Sequence, residues 1–180
     1  MVFIIAQVLG IIGMIISFLS YQNNSHKGIL IFKSVSEGTF AVHYLLLNSY
    51  TGMAMNLIGV VRNILFTNLV LRKKSTLPYI FLFSIITIAF GVFSWIGWIS
   101  MLPIVSKLLT TVAYGVKDPK LIRLLVLPSS VFWLIYNAYC YSIAGVLTEI
   151  FGIISIIAAM IRFSKKPKTD EKTSDNDNFG

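Results

Sequence analysis

The sequence predicts an all-α membrane protein, with seven transmembrane helices arranged as two parallel three-helix repeats around a linker helix. Three observations carry this. The 180 residues are 56% hydrophobic and only 12% charged, where soluble domains average roughly 45–50% and about 25%, and the mean hydropathy is +0.81. Seven apolar stretches approach the ~20 residues needed to cross a bilayer. The cations fall in alternate loops only. Such a composition excludes a soluble enzyme, a disordered chain and a disulfide-built secreted domain, since one cysteine, Cys140, cannot form an internal bridge.

The expected spans are 2–21, 28–47, 52–71, 77–97, 99–116, 121–141 and 143–163. The first lacks a basic leader, and its end, Ser17-Phe18-Leu19-Ser20-Tyr21, has no small-x-small cleavage site, so it reads as a retained span and not a signal peptide. Polar or Gly/Pro-marked breaks separate most of the others: 22–27, 48–51, 72–76 and 117–120. The breaks at Trp98 and Ser142 are the weakest, placed because the apolar run exceeds one span. The chain thus divides into a first three-helix bundle (2–71), a linker helix (77–97), a second three-helix bundle (99–163) and a tail (164–180). The tail balances four lysines with four acids and reads as disordered cytoplasmic polymer.

Lys27, then Arg72, Lys73 and Lys74, then Lys117, Lys120 and Arg123, then Arg162, Lys165 and Lys166 mark alternate loops, and the intervening loops hold no cation. The positive-inside rule places the marked loops in the cytoplasm. The N-terminus is then outside, the C-terminus inside, and the number of crossings odd. The net charge of +8 is accordingly a topology signal plus a few intramembrane charges, and not a nucleic-acid signature.

A search for internal repeats finds one at a shift of 93 residues, without gaps. It sets Ser17 on Thr110, Tyr21 on Tyr114, Lys27 on Lys120, Ser36 on Ser129 and Phe40 on Trp133. Ser49 falls on Ser142, Gly52 on Gly145 and Gly59 on Gly152. Both units begin with an inward-running helix, which makes them parallel and the fourth helix the inverting linker. Parallel repeats are one of the two transporter symmetries.

Further residues carry a resemblance: His43-Tyr44-Leu45-Leu46 ending the second helix, Arg62 in the third, Leu102-Pro103 in the fifth, Trp133 with Asn137 in the sixth, and Gly145 with Glu149 in the seventh. Over roughly residues 2–163 the chain resembles the YgjV-type bacterial inner membrane proteins, and its 3+1+3 layout looks like that of the SWEET and PnuC transporters. The resemblance implies a multi-pass protein of the bacterial inner membrane. It also implies hinge prolines, which here are Pro103 and Pro128; Gly10 and Val35 stand where the partner prolines would be, a departure for the first bundle.

Charges at bilayer depth are costly and usually face a bundle interior or cavity. Lys33, Glu37, Arg62, Lys107 and Glu149 qualify. Matching depths predict a Glu37–Arg62 pair and a Lys107–Glu149 pair, each cutting the desolvation cost of an unpaired charge. These pairs are either structural glue or the lining of a solute path. The path reading assigns substrate contact to Asn56, Arg62, Trp133, Asn137 and Glu149, with Trp133 as a stacking platform. His43 and Tyr44 are candidates for an outer gate. His26 and His43 lack metal-ligand spacing, and no nucleophile elbow or phosphate loop is present, so neither a metal, a cofactor nor an enzymatic activity is expected. The expected function is a small-solute transporter for a sugar, nucleoside or vitamin precursor, with a midplane site. The alternative is a non-transporting membrane factor acting through a protein partner. The expected partners are the lipid bilayer and a small polar solute, with homo-oligomerisation left open and no nucleic acid.

Overall fold

The computed structural model describes residues 1–22, 26–115 and 119–164. Among these the chain forms seven α-helices and no strand: α1 (Val2–Gln22), α2 (His26–Leu46), α3 (Tyr50–Leu71), α4 (Leu77–Phe93), α5 (Met101–Gly115), α6 (Pro119–Tyr139) and α7 (Ile143–Ser164). A single 3-10 turn, Trp98–Ser100, leads into α5. The tail beyond residue 164 and the loop cations Lys117, Lys165 and Lys166 lie outside the described residues.

Two helix ends differ from expectation for identifiable reasons. The fourth helix stops at Phe93 instead of reaching residue 97. The Thr51 hydroxyl, at the start of α3, donates to the Ser94 carbonyl and lies 3.2 Å from Ser100 Oγ, which accepts the Ile96 N–H at 3.1 Å. Gly97 then turns the chain at φ +133°, a backbone region open to glycine. Four residues expected to be helical are therefore a pinned turn. Pro103, expected as a hinge, sits in the first turn of α5, where its missing N–H removes no helical bond. Pro128 does lie inside α6, where it frees a carbonyl one turn back.

α2 and α6 end in the same way. The Ser49 N–H donates to the Tyr44 carbonyl at 2.8 Å, and the Ser142 N–H to the Asn137 carbonyl at 2.9 Å. The residues just before, Asn48 and Tyr141, take left-handed φ values of 55° and 54°. This is the Schellman closure, which satisfies carbonyls that a helix end leaves open.

α2 packs between α1 and α3, and α6 between α5 and α7; α4 bridges α3 and α5, and the two groups meet along α3–α5 and α1–α7. Matching hydrogen bonds hold each group: Ser36 Oγ donates to the Gly13 carbonyl at 2.8 Å, and Ser129 Oγ to the Ser106 carbonyl at 3.2 Å. The interior is polar. Arg62, Lys107, His43, Asn63 and Asn137 are all buried, while Ile4, Val8, Ile15, Phe81, Ile85 and Ile154 are exposed. An apolar exterior around a polar core inverts the water-soluble pattern. Among the described residues two helices, Val2–Ser20 and Tyr50–Leu71, are long and apolar enough by length and composition to cross a membrane, with mean hydropathies of 2.6 and 1.5.

Tyrosine at a left-handed position costs about 1–2 kcal/mol, which asparagine largely avoids. Tyr141→Asn therefore raises the melting temperature of the detergent-purified protein by the equivalent of about 1 kcal/mol; Asn48→Tyr lowers it by a similar amount.

Candidate functional site

The polar side chains converge through helical spacing. α2 presents Lys33, Ser36, Glu37, Phe40 and Tyr44 on one face, at steps of one, three and four that keep a helix face in register. Residues of the other helices, among them Asn56 from α3, Lys107 and Tyr114 from α5, Ser130, Trp133 and Asn137 from α6 and Glu149 from α7, meet that face around a cavity of about 80 Å³. By the criterion of ~10–15 Å³ for one water, that is room for several.

One end of the site is a charge cluster centred on Glu37. Its Oε1 lies 3.1 Å from Lys107 Nζ and 3.5 Å from Arg62 Nη2, and its Oε2 accepts the Asn63 amide at 3.1 Å. The expected Glu37–Arg62 contact is present. The Lys107–Glu149 pair is not: Lys107 crosses to Glu37 instead. Gly59 is the physical reason, because a Cβ there would collide with the Glu37 carboxylate and with Lys107 Nζ. Only a bare α3 backbone lets the α2 acid reach the α5 base. Lys33 is turned to Ser17 Oγ, at 2.8 Å.

Arg62 lies behind the cavity, fully buried. Its Nε and Nη2 donate to Asn63 Oδ1 at 3.1 and 2.9 Å, and its Nη1 to Thr110 and Thr111 Oγ1, both at 3.1 Å. Together with the 3.5 Å Glu37 contact these engage all three guanidinium nitrogens, while the Tyr114 ring lies 4.9 Å from its Cζ.

The other end is an aromatic lid. Tyr44 stacks on Trp133 with centroids 5.7 Å apart and planes 25° apart, and its hydroxyl donates to Asn137 Oδ1. Tyr136 meets both rings edge-on and accepts the Gly52 N–H at 2.9 Å. His43 is fully buried beside this lid, not facing outward as a gate. Its Nδ1–H donates to the Ala6 carbonyl at 2.6 Å. That tautomer leaves Nε2 to accept from the Ser142 hydroxyl at 2.7 Å, and Ser142 Oγ accepts the Gly145 N–H at 3.2 Å. His43 thus clamps α1, α2 and the start of α7.

Of the residues expected to contact a solute, Asn56, Trp133, Asn137 and Glu149 border the cavity and Arg62 does not. Sequence reasoning missed Asn63, Thr111, Tyr114, Ser130 and Tyr136. Lys107, Thr111 and Tyr114 share one helix face by their spacing, and Asn63 follows Arg62 directly, so some signal was present for these.

A polar, charged interior inside an apolar shell needs lipid around it, and comparison with known proteins agrees. A family model described as Imp-YgjV, bacterial inner membrane protein, matches residues 4–167. The chain belongs to the YgjV family. A curated relative, the inner membrane protein YgjV of Escherichia coli (strain K12), is 24% identical over 164 residues, which cover 91% of this chain and 87% of the relative. No solved structure matches. As a YgjV-family member the protein is a bacterial inner membrane protein.

The two α-helical glycines Gly59 and Gly38 make a contrast. Gly59→Ala drives a methyl into the Glu37–Lys107 contact and lowers thermal stability. At Gly38 the nearest side-chain atom to a new Cβ would be 3.8 Å away, so Gly38→Ala is neutral or gains up to about 1 kcal/mol of helix propensity. Thermal unfolding in detergent measures both.

Proposed function

We propose that the protein is a transporter of a small polar solute, of the sugar, nucleoside or vitamin-precursor kind, with its site in the cavity between two three-helix repeats. The observation that carries this reading is the cavity itself. A polar void lined by two carboxylates, two lysines, hydroxyls and a tyrosine-stacked tryptophan exceeds what helix-to-helix adhesion requires, whereas a binding site needs an apolar wall with a few placed polar groups.

The repeat is supported by features that recur at a spacing of 93 residues, the separation of the bonded Tyr44–Asn137 pair. The Asn48 and Tyr141 caps and the Ser36 and Ser129 cross-helix bonds all keep that register. Tyr44 and Asn137, which bond to each other, are themselves repeat partners, as expected for residues beside a twofold pseudo-axis. In the proposed topology seven helices cross, the N-terminus is outside and the aromatic lid lies toward the outer face. The repeats would rock about the cavity, as in parallel-repeat transporters, with Pro128 as the mid-helix hinge and without a bound cofactor or an enzymatic step.

Two measurements test this. In thermal unfolding of purified protein against nucleosides, vitamins and sugars, one class raises the melting temperature, the shift corresponding to about 2.7 kcal/mol at a hundredfold excess over Kd, and Asn56→Ala removes it. No shift across the panel would favour a membrane factor that acts through a protein partner. For topology, a C-terminal green fluorescent protein fusion fluoresces and a C-terminal alkaline phosphatase fusion is inactive; the opposite pattern would overturn the proposed orientation.

A further inference from the structure

The acids among the described residues, Glu37 and Glu149, both border the cavity. At the end of the fold where α2 begins and α3 stops, Lys27, Arg72, Lys73 and Lys74 stand exposed. The ion pairs among the described residues, both made by Glu37, include none of them.

Between the same helix ends runs a groove of about 410 Å³, inside the range of roughly 300–1,000 Å³ common for ligand sites. It shares no lining residue with the cavity. α2 contributes Lys27, Ile31 and Val35 to it, and α3 contributes Ile64, Asn68 and Leu71; steps of three and four keep each set on one helix face. The chemistry changes along its length. Val35 is about 12 Å along α2 from Lys27, and Ile64 about 10 Å along α3 from Leu71. Ser34 and Thr67 also line the groove, but their hydroxyls donate to the Leu30 and Asn63 carbonyls of their own helices, each at 2.8 Å. The inner stretch therefore offers aliphatic side chains. The donors at the mouth are the Lys27 ammonium and the exposed Asn68 amide, whose side chain meets no hydrogen-bond partner among the described residues.

The second bundle provides a comparison. A shift of 93 residues sets Lys27 on Lys120, but Leu127, Met160 and Ile161 stand at the positions of Ser34, Thr67 and Asn68. The cation recurs in both units, as loop charge patterning alone would have it. The amide that completes the mouth occurs in one.

We propose that this groove binds one anionic phospholipid. Its phosphate meets the Lys27 ammonium and the Asn68 amide in the field of Arg72, Lys73 and Lys74, and an acyl chain lies along Ile31, Val35 and Ile64. Basic pockets between membrane helices suit such headgroups. A free anion would leave the aliphatic stretch unused, and an uncharged lipid would leave the cations without a counter-charge.

Thermal unfolding and native mass spectrometry of the full chain in detergent test this without any transported solute. Dioleoylphosphatidylglycerol raises the melting temperature and stays attached as a single adduct, whereas dioleoylphosphatidylcholine and glycerol 3-phosphate do neither. Lys27→Gln weakens the apparent affinity for phosphatidylglycerol about fivefold, the effect of one cation at a lipid surface. Adding Asn68→Leu weakens it further, and Lys120→Gln changes nothing. Both groove residues are exposed, so the variants keep the wild-type melting temperature in lipid-free detergent. Equal stabilisation by phosphatidylcholine, stabilisation by glycerol 3-phosphate alone, or unchanged retention in the double variant overturns the proposal. So does a dimer that excludes the lipid, or a lipid effect that appears only after deletion of residues 165–180, which would assign the groove to the acids of that segment.

Discussion

The Glu37 carboxylate is the contact on which the interior depends. Three intramembrane cations and two acids occupy a core shielded from water by apolar helix faces, and a charge at such depth is costly unless paired. One carboxylate meets two of the cations, Lys107 at 3.1 Å and Arg62 at 3.5 Å. It thereby joins α2 both to α3 and to α5. The remaining donors of Arg62 go to Asn63, Thr110 and Thr111, so each guanidinium nitrogen has a partner. Gly59 makes the arrangement sterically possible by keeping the α3 surface clear where acid and base meet.

Polarity placed inside has consequences for both ends of the site. The charge cluster and the hydroxyls of Ser17, Ser36, Ser129 and Ser130 keep a void from collapsing into a dry apolar seam. The stacked Tyr44–Trp133 pair and the Tyr136 edge close its far side. The lid is itself held by hydrogen bonds from α2 and α3 to α6: Tyr44 to Asn137, and Gly52 to Tyr136. Opening it would break a small number of bonds concentrated at one end. A conformational change in a packed helical protein favours such concentrated contacts over continuous deformation.

The helices and the identity of the buried charges were legible in the sequence, because a charge within a run of apolar residues is a strong signal. Their partners were not. Depth follows from counting residues at 1.5 Å rise, but the direction a side chain points around the helix does not, so Lys107 matched Glu149 in depth while facing Glu37. The end of α4 was missed because the group that arrests it, Thr51, lies 43 residues earlier. Pro103 was expected as a hinge because the resemblance places a proline there; with the helix beginning at Met101 the proline is in its first turn. Trp133 and Asn137, which line the cavity, stood out in the sequence because an aromatic and an amide are uncommon within an apolar run. Ser130 and Asn63 were not, since single hydroxyls and amides are ordinary helix-to-helix adhesives.

The shared carboxylate is tested most directly by a double-mutant cycle between Glu37→Gln and Lys107→Met, read by reversible unfolding in detergent. Residues in one ion-pair network couple by roughly 0.5–3 kcal/mol, whereas independent sites add to within about 0.5 kcal/mol. A coupling above about 1 kcal/mol, with the double variant more stable than the sum of the single losses, is expected if Glu37 joins α2 to α5 through Lys107. Additive losses would contradict it.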